Sequence, residues 1–162
     1  MPEIHKLRLD DFETEEDCVV IGINSNQPSC SLCWHLNKYG GFNFTRIDDV
    51  IVESFNKKIT QEPINLFTNT QHEIDSKIIK SMHGTYRFEN EEMFSEYYLF
   101  ENKGTLSYIE PKMREVDYFI EIIGKESEKA AEIVRLINSF QNIGFAFISN
   151  IDSLINKHHL FV

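Results

Sequence analysis

Cys30 and Cys33 stand three residues apart, after an apolar run and at the head of a segment patterned as a helix. In that setting a helix N-terminus lowers a thiol's pKa, and two thiols at this spacing can close a redox disulfide. Leu32 fills the place where such motifs commonly carry proline, and no tryptophan precedes Cys30. Cys33 also shares a stripe with Leu32, Leu36 and Tyr39, where a thiol behaves as a small apolar side chain. Core packing is the leading reading of the pair, and a thiol-redox role is the alternative. His35 would make a third zinc ligand, but His5, His72, His83, His158 and His159 are dispersed, so no metal site is expected.

Other chemistry is thinly supported. Asp10-Asp11, Asp48-Asp49 and Glu91-Glu92 are adjacent carboxylates. Neighbours on a strand face opposite ways, so these read as solvated charge rather than acid–base pairs. The tract from Gly22 to Ser25 lacks the further glycines and the lysine of a phosphate loop. Neither a Gly-x-Ser-x-Gly elbow nor a His-Glu-x-x-His helix occurs, and no cofactor is expected. An enzyme site assembled only in the fold, from Asp117, Tyr118, His83 and Cys30, is the rival to a non-catalytic protein.

The elements that must position these residues follow from periodicity. Residues 4–10 alternate as a half-buried strand, and residues 18–23 form a nearly continuous apolar strand. Ser29 is expected to cap a helix over 29–39, stopped by Gly40-Gly41, with a strand over 42–47. Residues 61–74 read as irregular. Tyr86 to Phe88 and Tyr97 to Phe100 read as strands joined by an acidic connection. The clearest strand is 116–123, with Val116, Tyr118, Ile120 and Ile122 on one face and Asp117, Phe119, Glu121 and Ile123 on the other. After Gly124, Ser127 is expected to cap a helix over 127–140 whose buried stripe is Ala130, Ile133, Val134, Ile137 and Phe140. A strand over 145–149 follows.

This pattern predicts a single α+β domain over residues 1–162: a mostly antiparallel sheet of five to seven strands with helices on one face. It contains βαβ units. Gly-Phe-Asn-Phe at 41–44 echoes Gly-Phe-Ala-Phe at 144–147, which suggests an internal likeness between 18–48 and 116–152 and a ferredoxin-like arrangement.

The chain carries 26 acidic against 16 basic residues, a net charge of −10, and its longest basic run is Lys57-Lys58. Nucleic acid and anionic lipid are both disfavoured as partners. Residues 1–12 are broken by Glu3, Lys6, Arg8, Asp10 and Asp11, unlike a signal peptide, and no apolar run approaches a membrane span. An odd count of three cysteines is no disulfide framework. The expectation is a soluble, cytoplasmic protein.

Residues 111–118, Pro-Lys-Met-Arg-Glu-Val-Asp-Tyr, resemble the bacterial family named after its motif, IPExxxVDY. Pro111 matches the motif proline, and Val116, Asp117 and Tyr118 match its last three residues. Glu110 stands at the isoleucine position and Lys112 at the glutamate position. The likeness extends to residues 6–11, to Leu36-Asn-Lys38, and to the tail from Ile151 to Phe161. Members of that family have no established activity, so the resemblance implies a small soluble protein and supplies neither cofactor nor catalytic residue. The residues themselves read as scaffold. Pro111 fixes a turn, Val116 and Tyr118 face the core, and Asp117 accepts hydrogen bonds from a turn or a neighbouring strand. The leading functional expectation is a non-catalytic interaction or regulatory module, with a protein partner or a second copy in a homodimer. The sequence names no small-molecule ligand.

Overall fold

The computed structural model describes residues 18–57 and 76–150. Among these residues six strands form one sheet: β1 (Cys18–Ser25), β2 (Thr45–Lys57), β3 (Ser76–Asn90), β4 (Ser95–Glu101), β5 (Tyr118–Gly124) and β6 (Ile143–Ser149). Helix α1 (Ser29–Gly40) follows β1, and α2 (Ala130–Asn138) follows β5 through a 3-10 turn, Lys125–Lys129. The strand order is β2-β3-β4-β5-β1-β6, and every neighbouring pair is antiparallel. The architecture is therefore α+β on a mostly antiparallel sheet. No helix among the described residues is long and apolar enough to cross a membrane.

Both faces of the sheet are apolar, and alternation along each strand divides them. Leu32, Cys33 and Leu36 of α1 and Ala130, Ile133 and Ile137 of α2 pack on the same face, over Ile21, Ile23, Leu99, Tyr118, Ile120 and Ile122. The second face holds Val20, Val52, Tyr98, Phe100 and Phe119, covered in part by Ile109 and Val116. Central β5 is buried on both sides, as its run of large apolar residues requires. Burying one such side chain contributes roughly 1.5–3 kcal/mol.

Several expectations need correction. Val116 does not share the face of Tyr118. It precedes β5, and residues 102–117 fold over the second face, where Val116 joins Phe119. Asn102 anchors that fold-back: its amide nitrogen donates to the carbonyls of Val116 (2.7 Å) and Met113 (2.9 Å), and its amide oxygen accepts from Glu110 N (2.9 Å). Ser29 is not the α1 cap. Pro28, with φ −60° and ψ 150°, holds that position, and its carbonyl accepts from the amides of Ser31 and Leu32. Ser127 lies in the 3-10 turn, leaving α2 to start at Ala130 without a side-chain cap. The strand expected over 42–47 begins at Thr45 and continues to Lys57. Phe42 and Phe44 pack on the helix side, whereas Phe147 packs on the second face. The strand expected at 4–10, the irregular stretch at 61–74, the tail from Ile151 and the His158-His159 pair lie outside the described residues.

Candidate functional site

The exposed face of α1 is built by a simple rule: its apolar stripe goes down into the sheet, and what remains points out. Leu32, Cys33 and Leu36 are buried, one turn apart. Cys30, Trp34 and Tyr39 are left outside, Trp34 being 52 % exposed and Tyr39 56 %. These outer rings form a connected patch. Trp34 meets His35 edge-on at 5.0 Å and Tyr39 at 6.0 Å, and Phe140, just beyond α2, closes the patch against His35 at 6.0 Å and Tyr39 at 6.3 Å. The Lys38 ammonium lies 4.4 Å over the Trp34 ring. No acidic residue occurs between Asp17 and Asp48, in a chain that has 26 of them. The patch is thus aromatic and locally basic on an acidic protein.

Beneath the head of α1, several of the residues singled out from sequence come together. Cys33 is buried, which pushes its thiol up to about 12; the neighbouring Cys30 and Glu101 act the same way and Arg46 opposes them. Tyr118 is buried too, and its hydroxyl donates to the Gln27 carbonyl at the loop before α1. Burial first, then the charges of Glu101 and Asp117, push that phenol up to about 12. Ser29 Oγ lies 3.1 Å from the Tyr86 hydroxyl, and the Arg46 guanidinium sits 5.2 Å from the Tyr86 ring centre. His83 is not part of this group. It is fully buried near the loop after β4, with Nδ1 2.9 Å from the Glu101 carbonyl and its ring against Gly104.

The motif residues are engaged internally. Asp117 accepts from the Ser25 amide (2.8 Å) and from Asn24 Nδ2 (3.2 Å), while its own amide donates to the Ile23 carbonyl (2.8 Å). It thereby ties the segment before β5 to the end of β1. Pro111 is exposed at a turn, and its carbonyl accepts from Arg114 Nε at 3.3 Å. Lys112 is exposed and gives only its backbone amide, to Glu110 Oε1 at 3.1 Å.

Two sites escaped the sequence reading. A cleft of about 280 Å³ opens between α2 and the sheet, walled by Phe42, Phe88, Tyr97 and Leu136. Glu126 lies at its base and accepts from Tyr97 Oη (2.7 Å), Asn90 Nδ2 (3.0 Å) and Lys129 Nζ (2.9 Å). Burial alone would raise this carboxyl, but the hydrogen bonds from Lys129, Tyr97 and Asn90 outweigh it and hold the group below the ordinary carboxylate range. A carboxylate with three donors is a structural anchor rather than a ready base. The second site is Glu121, fully buried on the second face beside Val20 and Tyr98. Its Oε2 makes no hydrogen bond among the described residues, and burial pushes the carboxyl up to about 8. Alternation gives the face of Glu121 but not the cover over it. Only the approach of three distant segments around Glu126 could have exposed the cleft.

Among the described residues no group of three His, Cys, Asp or Glu is placed to hold a metal ion. No protein-family model, curated protein or solved structure matches the chain.

Proposed function

We propose that the protein is a non-catalytic interaction module of the cytoplasm that docks a protein partner on the exposed face of α1. The observation that carries this reading is the patch of Trp34, His35, Tyr39 and Phe140, in which two large aromatic rings stay more than half exposed while packed on one another. Aromatic side chains with a neighbouring cation are typical anchors of protein interfaces. The partner is an acidic one. Lys38 and the acid-free stretch from Cys18 to Ile47 favour a surface that presents an apolar side chain beside carboxylates. A second copy, also at −10, fits less well.

The rival enzyme reading draws less support. Tyr118 and Asp117 are bound inward, Cys30 is outside, and His83 is buried elsewhere. As part of the same proposal, the chain is a member of the IPExxxVDY family, with the motif acting as a clasp between β1 and β5. The sheet is in turn an expanded ferredoxin-like arrangement grown from two βαβ units. Helices α1 and α2 each lie on the chain between strands that run the same way, and each carries an asparagine that grips the following segment.

The test is pulldown with the full chain and with Trp34→Ala/Tyr39→Ala, followed by calorimetry on the recovered partner. Both proteins should melt alike, since the rings are exposed, and the variant should lose at least about tenfold in affinity. Equal binding by the two proteins overturns the reading. A dimer that the double variant dissolves would replace the acidic partner with a second copy.

A further inference from the structure

We infer that Cys30 and Cys33 form a dithiol–disulfide couple that exchanges with disulfide substrates at the head of α1, an activity separate from the docking reading. The two thiols differ in the way such exchange needs. Cys30 is exposed at the second residue of α1, while Cys33 is buried one turn further on, 4 % accessible. Three residues of helix separate Cα atoms by about 5 Å, inside the range that a disulfide bridges. The first turn is already closed by the Ser31 and Leu32 amides on the Pro28 carbonyl, and the amides ahead of them have no acceptor within the helix to give up. It also contains no acidic side chain, so a thiolate at Cys30 meets no like charge there.

The steps balance. The Cys30 thiolate attacks one sulfur of a disulfide RSSR, forming a mixed disulfide and expelling RS⁻, which takes a proton from solvent. The Cys33 sulfur then attacks the Cys30 sulfur and expels the second RS⁻, which takes up the proton that Cys33 gives up. The protein dithiol is oxidised, and RSSR is reduced to two RSH. Burial, which pushes the Cys33 thiol up to about 12, keeps it protonated until the mixed disulfide stands beside it. This ordering makes Cys30 the point of contact and Cys33 the resolving group. Trp34, the only tryptophan of the chain, lies one turn from Cys30 on the same side of the helix and reports the change.

The experiment equilibrates the folded full chain with mixtures of reduced and oxidised glutathione, reading Trp34 emission and intact mass. As the oxidised fraction rises, the protein should lose one pair of hydrogens without retaining glutathione. Peptide mapping should join Cys30 to Cys33 rather than to Cys18, and Trp34 emission should change along the same curve. Cys33→Ala should instead retain glutathione on Cys30, and Cys30→Ala should do neither. A wild-type protein that keeps glutathione on Cys30 with Cys33 still reduced overturns the proposal. So does one that stays fully reduced at every ratio, or closes the pair only in denaturant. Should Cys33→Ala fail to fold, the wild-type mass and peptide map decide alone. Loss of partner binding in the Trp34→Ala/Tyr39→Ala protein leaves the mass and peptide-map readouts standing, so the two proposals fail separately.

Discussion

The Cys18 thiol donates across the β1–β5 ladder to Glu121, with Sγ 3.5 Å from Oε1. That contact offsets only part of the cost of burying the carboxyl, whose pKa is pushed from 4.5 to about 8, burial being the main cause. The folded chain therefore keeps a proton at Glu121 that the unfolded chain has released. The stability this contributes is complete below the ordinary carboxyl pKa and is lost as pH rises through about 8, at up to about 1.4 kcal/mol per pH unit. Glu121→Gln should flatten the fall in melting temperature between roughly pH 5 and pH 8. Parallel wild-type and variant curves would show that the carboxyl is not buried as a proton-bearing group.

Asn138 should guard the outer edge of β6. Its side chain accepts from the Ala146 amide (2.7 Å) and donates to the Ala146 carbonyl (3.0 Å), filling the place of a further strand. Asn138→Ala is expected to cost about 1–3 kcal/mol in denaturant melts and to speed hydrogen exchange at Ala146 while sparing β5. It should also raise aggregation, because an unguarded edge pairs with other chains. Unchanged exchange at Ala146 would count against the guard.

Asp117 is expected to behave as a structural acceptor. Asp117→Ala leaves the Ser25 amide and Asn24 Nδ2 without that acceptor and should cost about 1–3 kcal/mol, with the damage localised by NMR to the β1–α1 loop. Asp117→Asn retains an acceptor oxygen and should recover part of the loss. A variant as stable as wild type would remove the clasp from the motif.

Gly124 should resist substitution more than any surface glycine. Its φ is +100°, and a Cβ there would lie 2.3 Å from the Phe94 carbonyl oxygen, a backbone atom that cannot swing aside. Gly124→Ala is expected to lower stability by roughly 1–3 kcal/mol in urea titrations. Gly41 is also left-handed, at φ +73°, but open to solvent, so Gly41→Ala should cost only about 1 kcal/mol.

The sequence by itself determined the local events. Alternation over 118–123 assigned Tyr118, Ile120 and Ile122 to one side and Phe119 and Glu121 to the other, because side chains on a strand have no other choice. The helical stripe put Leu32, Cys33 and Leu36 inward, although Tyr39, read on the same stripe, lies outside at the end of α1, and both helices fell on one face, because each has a single apolar side to bury. Tertiary structure decided everything that required segments far apart in the chain to meet. The side on which Val116 lies depends on how residues 102–117 fold back through Asn102, and the anchoring of Glu126 depends on Asn90 of β3 and Tyr97 of β4 reaching the 3-10 turn that it shares with Lys129. Whether Glu121 meets water or the interior was likewise set from outside its strand. Periodicity encodes the direction of a side chain, but burial is a property of whatever comes to rest against it, and no local pattern carries that.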